Sequence, residues 1–460
     1  MALLIKNGRI VTATDDYHAD VYCAGETITR IESSIDPGSV PDAEVIDATG
    51  KFVFPGFIDP HVHVYLPFMG TYAKDDYASV TKAALLGGTT SLIEMVCPAR
   101  TEEPVEAFDL WRGKAEGLAA CDYTFHMGVS RYDADVERQL RAIVEQGIAS
   151  FKVFLAYKGA FGVTDAELFE TLRLAKSLGV IVTAHCENET LIDELQRELL
   201  AAGNTGPGFH ERSRPTRVEA EGVNHLMSFA ELTGAHVYVV HTSCEEAVRA
   251  AEAAIDRGVK AWIETVIPYL VLDKTYAEQG SFEGSKYVMS PPIRDVRHQP
   301  ILWNALRART ISTVATDHCP FDFAGQKEMG RGDFTKIPNG IPSVEHRVQL
   351  LYTQGVEKGR IDLNTLVDCA STQAARIFGL EGKGRIAVGA DADLCIYDPE
   401  WRGTISAANH HMNNDYSAFE GWEMHGRPAV VTVRGDVAVR DGAYVGTQGR
   451  GRMIERRPGH

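Results

Sequence analysis

The sequence predicts an α/β fold: a (β/α)8 TIM barrel with a second, smaller composite β-sandwich domain drawn from both chain ends. Three observations lead there. Short, β-rich apolar runs alternate with longer segments of helical periodicity, the pattern of a parallel sheet. Eight such runs fall between residues 57 and 318, the count expected of a closed barrel. Outside that stretch the chain alternates apolar and polar residues between turn signals, which is β structure without helices.

The strand candidates are FIDPHVHV (57–64), TTSLIEMV (89–96), DYTFHMGVS (122–130), SFKVFLAY (150–157), VIVTAHCE (180–187), HVYVVHTS (236–243), KAWIETVI (260–267) and ISTVATDH (311–318). Between them lie amphipathic segments such as DAELFETLRLAKSL and CEEAVRAAEAAIDRG. An open doubly wound sheet competes with the barrel, but no glycine-rich phosphate loop follows the first strand. LLIKNGRIVTA and EVIDATGKFVF on one side, and ADLCIYDP and AVVTVRGDVAVRDG on the other, carry short alternating strands. Residues 1–55 and 385–460 are therefore expected to join in one discontinuous β-sandwich domain beside a barrel of residues 56–384. The basic end, RGRMIERRPGH, is expected to be mobile or to make subunit contacts.

Composition bounds the function. With 460 residues, 44% hydrophobic and 24% charged, the chain reads as a soluble globular protein. No run of eighteen apolar residues suggests a membrane span, and MALLIKNGRIV lacks the layout of a signal peptide. A cytoplasmic location follows as the expectation. Eight scattered cysteines with no CxxC pair are expected to be buried thiols rather than disulfides. A net charge of −17 argues against a nucleic-acid partner, which needs clustered Lys and Arg.

In a parallel barrel the chemistry sits at the carboxyl ends of the strands. His61 and His63 end the first strand, two apart and so on one side of it. Lys152 stands alone among Phe151, Val153, Phe154 and Leu155. His185, His241 and Asp317 lie at the ends of strands five, six and eight. Each has an ordinary explanation taken singly: a hydrogen-bonded rim histidine, a snorkelling lysine, a helix N-cap aspartate. Six together at one end of a barrel predict a metal site. His126, mid-run among apolar neighbours, is assigned to the core, and His318 to the side opposite Asp317. Asp59 is a candidate to orient a ligand imidazole.

Imidazole and carboxylate ligands without thiolate suit Zn2+, with Mn2+, Ni2+ or Co2+ as substitutes. Four histidines and one carboxylate are more than a single four-coordinate ion with an open position uses. Two divalent ions per chain sharing a hydroxide fit better, and predict metal-assisted hydrolysis with Asp317 as general base and then acid. An ammonium at Lys152 would repel both ions. A neutral amine there can take up carbon dioxide, and the N6-carboxylated lysine is an anion able to bridge two metals; apolar neighbours favour the neutral form.

GFIDPHVHVYLPFMG, SFKVFLAYKGAFGV, TAHCEN, VVHTSC, MSPPIRD, TDHCPF and IPNGIPSVEHR resemble the signature segments of cyclic amidohydrolases, in particular the dihydropyrimidinase and bacterial D-hydantoinase branch. The resemblance runs from end to end. It implies that His61, His63 and Asp317 bind one ion, that His185 and His241 bind the other, and that carboxylated Lys152 bridges them. It further implies that Tyr157 steadies the oxyanion and that Ser290 and Asn339 contact a cyclic ureide or imide, largely through backbone groups. Read without it, Tyr157 is also a plain rim aromatic and Asn339-Gly340 a plain turn. A homotetramer, or a homodimer, is implied as well, with the C-terminal tail helping assembly.

Within that family the segment after HxH discriminates. Dihydroorotases tend to carry an arginine two residues after HxH for a substrate carboxylate, and allantoinases an arginine soon after the segment, whereas this chain has Tyr65 and no Arg between Lys51 and Arg100. Tyr65, Leu66, Phe68 and Met69, faced by Phe154 and Phe161, suggest an apolar flap over an uncharged substituent. The expected substrates are 5-monosubstituted hydantoins and dihydropyrimidines, opened to N-carbamoyl amino acids. The alternatives are an allantoinase- or dihydroorotase-like enzyme, a phosphotriesterase-type hydrolase, and a non-catalytic relative that keeps the fold. The intact ligand set counts against the last.

Overall fold

The computed structural model describes residues 2–460; Met1 lies outside them. Five strands open the chain: β1 (Ala2–Val11), β2 (Asp16–Ala24), β3 (Thr27–Glu32), β4 (Glu44–Asp47) and β5 (Phe52–Pro55). The next strand, β6 (Phe57–Val62), already belongs to the barrel, and a short ribbon of β7 (Pro67–Phe68) and β8 (Thr71–Tyr72) follows it. The barrel continues with β9 (Thr89–Val96), β10 (Asp122–Gly128), β11 (Ser150–Phe154), β12 (Ile181–His185), β13 (Val237–Val239), β14 (Ala261–Val266) and β15 (Thr313–Ala315). The chain then makes β16 (Leu394–Thr404), β17 (Glu423–Val433), β18 (Asp436–Arg440) and β19 (Ala443–Tyr444).

The eight barrel strands pair in parallel in the order β15-β14-β13-β12-β11-β10-β9-β6. The ring closes where Val62 bridges His318, with the His63 N–H donating to the His318 carbonyl at 2.8 Å. β9 is buried at every residue, as expected of a strand lying between a filled interior and a ring of helices. The helix over Asp165–Leu178 begins at a Thr164–Glu167 capping box and ends at Gly179 in the left-handed region, φ 68°. A second helix covers Glu245–Asp256.

Every barrel strand but β9 is shorter than the sequence suggests, β13 and β15 most of all. β13 and β15 have three residues each, so His241 and Asp317 lie two residues beyond them. Both adopt left-handed backbone, φ 40° and 51°, which a β ladder does not accommodate. Pro60 brings a register shift between Asp59 and Val62 in the β6–β9 pairing, consistent with its missing N–H.

The two flanks share one hydrogen-bonded sheet, ordered β19-β18-β17-β16-β5-β1-β2-β3 with β4 beside β1. Residues from both flanks, among them Ile5, Val21, Val53, Leu394, Ile396 and Val430, pack in a single cluster. One residue, Gly56, separates the flanking sheet from barrel strand β6. A Cβ there would lie 2.1 Å from Thr90 Oγ1, so only glycine allows that crossing. A buried ammonium ties the same two parts: Lys383 Nζ reaches Asp122 of β10 at 2.6 Å, Asp391 at 2.9 Å and Asp393 at 2.7 Å.

The C-terminal residues correct the expectation of a mobile tail. They lie across the floor of their own barrel, where Tyr123 N–H donates to Arg452 and Ile454 N–H donates to Tyr123. The Arg456 guanidinium is buried and donates to Thr124 Oγ1, Ser150 Oγ and the carbonyls of Phe125 and Phe378. Main-chain and hydroxyl oxygens there satisfy a charge that basic composition alone assigns to solvent.

Candidate metal centre and substrate pocket

The six polar strand-end residues open on one cavity. Its lining contains His61, His63, Lys152, His185, His241 and Asp317, together with Tyr157, Ser290, Asn339 and the apolar Leu66, Phe68, Phe154 and Phe161. Cys319 is the remaining lining residue.

The ligand geometry comes in two groups. His61 Nε2 and His63 Nε2 lie 3.2 and 3.3 Å from the same atom, Asp317 Oδ1. A tetrahedral zinc ion with bonds of ~2.0–2.1 Å holds its donors ~3.3 Å apart, so these three atoms are spaced as ligands of one ion. His61 Nε2 and Lys152 Nζ are buried and have no hydrogen-bond partner, an arrangement that costs free energy unless a ligand completes it. In the second group His185 Nδ1 and His241 Nε2 approach to 2.9 Å. The groups adjoin: the His61 and His241 ring centroids are 5.4 Å apart. The residues present therefore fit a metal ion at His61, His63 and Asp317, with two further imidazoles beside it.

Buried partners aim two of the imidazoles. Glu264 Oε1 accepts from His61 Nδ1 at 2.7 Å, which leaves Nε2 for the bowl. Burial pushes Glu264 up, to about 8; donation from the His241 N–H at 2.9 Å and Tyr238 Oη at 2.8 Å opposes that. Glu187 Oε2 accepts from His185 Nε2 at 2.9 Å and from Arg214 Nη1 at 2.6 Å. Burial disfavours ionised Glu187, yet Arg214 and His185 hold it down to about 2. Both arrangements fix which ring nitrogen is available to a metal. His63 Nδ1 and His241 Nδ1 have no such partner.

Burial lowers His61, His185 and His241 below the usual imidazole range, which keeps them neutral and able to ligate. It lowers Lys152 to about 8. Burial opposes ionisation of Asp317, but His61 and His63 beside it keep its carboxyl below the ordinary range. The backbone is strained around the same bowl: Tyr157, His241 and Asp317 all have positive φ, at a cost of about 1–3 kcal/mol each.

Tyr157 stands at the opposite wall, its ring 5.5 Å from His185 and 5.4 Å from Phe68. Asn339 Nδ2 lies 3.4 Å from Tyr157 Oη and 2.9 Å from Ser290 Oγ. Phe161 packs between Phe154 at 4.8 Å and Phe68 at 5.9 Å, making one apolar side.

Several sequence expectations change. Asp59 does not orient an imidazole; its carboxylate takes the Thr316 hydroxyl and the backbone N–H groups of Thr316 and His61. Glu264 does that work instead. Tyr65 is not part of the flap: its ring turns onto Tyr77 and Lys114. Met69 lines a neighbouring cavity rather than this one. His126 is spent on Ser150 Oγ and the Pro60 carbonyl, and His318 on Asp75. All eight cysteines are buried and free. Glu264 and Glu187 are not among the sequence candidates, although Glu264 in KAWIETVI is as isolated in its apolar run as Lys152.

The amidohydrolase family model matches residues 52–438. The chain is 49% identical to the D-hydantoinase of Geobacillus stearothermophilus, covering 99% of this chain and 97% of that one. It is 37% identical to the dihydropyrimidinase of Rattus norvegicus, over 99% and 89%. The structure of a D-hydantoinase (dihydropyrimidinase) from Thermus sp. superposes with a TM-score of 0.97, at 60% identity and 99% coverage of both chains.

Proposed function

This chain belongs to the amidohydrolase family, and from that premise we propose that its bowl of imidazoles opens cyclic ureides and imides. It is a cyclic-amide hydrolase of the D-hydantoinase and dihydropyrimidinase kind. The observation that carries the substrate class is the cavity lining: four histidines, one lysine and one aspartate against an apolar wall, with no arginine. Such a lining offers no guanidinium fork to a substrate carboxylate. An apolar 5-substituent laid against Phe68, Phe154 and Phe161 gains ~1.5–3 kcal/mol on burial.

His61, His63 and Asp317 would hold one divalent ion, His185 and His241 a second, with carboxylated Lys152 between them. Zinc suits this donor set, and manganese, nickel or cobalt could replace it. Ions bound there acidify a water from ~16 toward ~7 and polarise the carbonyl under attack. The Lys152 amine, lowered to about 8 by burial, is partly neutral at pH 7–8. Its nitrogen adds to the carbon of CO2 and loses one proton to solvent, leaving the carbamate anion.

The protein's own groups then manage the protons. Asp317 Oδ1 faces His61 and His63, so Oδ2 is the oxygen free to accept a proton from the attacking water. A C–O bond forms at the ring carbonyl, and Tyr157 Oη donates to the oxygen as it gains charge. The ring C–N bond breaks, and Asp317 returns its proton to the departing nitrogen. A hydantoin so opened becomes an N-carbamoyl amino acid. Ser290 and Asn339 hold the ring's polar edge.

The flanks 1–55 and 385–460 form one discontinuous domain in this reading, supported by the shared sheet and cluster; the barrel occupies 56–384. The enzyme works as a cytoplasmic homotetramer or homodimer, and sedimentation tests the assembly. Hydrolysis of dihydrouracil, 5-phenylhydantoin, allantoin, dihydroorotate and an aryl phosphotriester, measured side by side, tests the activity. The first two are expected to turn over fastest. Turnover of the phosphotriester alone would refute the assignment.

A further inference from the structure

Lys327 is fully buried in the loop after β15 with no carboxylate beside it; burial lowers its pKa to about 7, and the three carbonyls around Nζ favour the charged form. Its ammonium donates to three backbone carbonyls, Val288 at 2.9 Å, Pro338 at 2.6 Å and Gly340 at 2.8 Å. Three acceptors use all three ammonium protons. The carbonyls come from two segments distant in sequence. Val288 stands two residues before Ser290, and Pro338 and Gly340 flank Asn339. Those segments also touch directly, through the Gly340 N–H on the Val288 carbonyl at 3.0 Å and Asn339 Nδ2 on Ser290 Oγ at 2.9 Å. A Cβ at 340 would lie 2.2 Å from the Cys319 carbonyl, so the segment has little freedom on that side.

We infer that Lys327 is a positioning residue for substrate recognition: its ammonium sets the spacing of 288–290 and 338–340, and so of the polar groups that grip the cyclic amide. The inference rests on the proposed function, in which substrate lies against Ser290 and Asn339. Without the cation three carbonyl dipoles point at one another in a buried space. Val288 keeps the Gly340 N–H, but Pro338 and Gly340 have no other donor among the described residues, and an unsatisfied buried carbonyl favours any movement that finds water. Lys327 does not line the metal bowl, so its loss should weaken binding of ground and transition states alike and spare the chemical step.

The test compares metal-loaded wild type with Lys327→Met and Lys327→Gln, using dihydrouracil and 5-phenylhydantoin. KM is expected to rise about tenfold, the equivalent of about one hydrogen bond to substrate, with kcat within about threefold and two metals retained. The fall in kcat/KM should be the same factor for both substrates, because the grip is on the shared ring and not on the 5-substituent. Unchanged KM with only a lower melting temperature overturns the inference. So does failure of both variants to fold, which would make the lysine a requirement of the fold rather than of the site. Wild-type protein that opens neither ring overturns the functional reading, and this one with it.

Discussion

His61 Nδ1 and Glu264 Oε1 meet at 2.7 Å across the barrel, with both side chains wholly buried. The carboxylate decides which imidazole nitrogen faces the cavity. Glu264→Gln removes an acceptor oxygen and turns one amide N–H toward groups that are already donors. Metal affinity is expected to fall about 10–100-fold, read by competition with a chromogenic chelator. Unchanged affinity would mean that packing alone holds the ring.

Lys152→Ala removes the group proposed to bridge the ions. Bound metal and activity should both be lost, and propionate or another short carboxylic acid should restore part of the activity by supplying the missing anion. Two metals per chain at full rate in this variant would eliminate the carbamate.

Tyr157→Phe deletes one hydroxyl from the wall facing the bowl. In the proposed role, that donor is matched to charge developing in the transition state, so kcat should drop ~100–1,000-fold while metal content stays constant. A rise in KM alone would reassign Tyr157 to ground-state binding.

Lys383 gives a pH-dependent prediction. Burial lowers its pKa, but Asp393 and Asp391 outweigh that and the net shift is upward from 10.5. A raised folded pKa contributes stability that is complete below the unfolded value and is lost as pH rises through the folded one. Lys383→Met should therefore destabilise the protein at pH 8, by about 3 kcal/mol, since it leaves buried carboxylates unpaired. The gap from wild type should narrow above pH 10.5. A gap that does not change with pH would assign the loss to packing.

The barrel strands are readable because each is a short apolar run buried on both sides, and β9 coincides with TTSLIEMV residue for residue. The metal candidates are readable because His61, His63, Lys152, His185, His241 and Asp317 are polar where the pattern demands apolar residues. What the pattern hides is anything whose partner is main chain. Lys327 and Arg456 look like surface charges in the sequence, and each is buried by carbonyl oxygens contributed from remote segments. Tyr65 departs from the pattern for a different reason: its φ of 57° breaks the alternation that would aim it at the cavity. Glu264 and Glu187 carried the same signal as Lys152, a lone charge beside or within an apolar strand.

β5 and β16 are antiparallel neighbours, with Pro55 opposite Leu394 and Phe52 opposite Tyr397. Topologically the barrel is thus the loop of a single hairpin, and it leaves the flanking sheet and returns to it at adjacent points. For engineering, this makes the barrel look like a cassette that could be lifted out and exchanged. Gly56 removes that freedom on one side, because the strand it feeds into carries His61 and its only tolerated shape is set by Thr90. A graft made at this seam would have to inherit part of the reaction centre along with its attachment point.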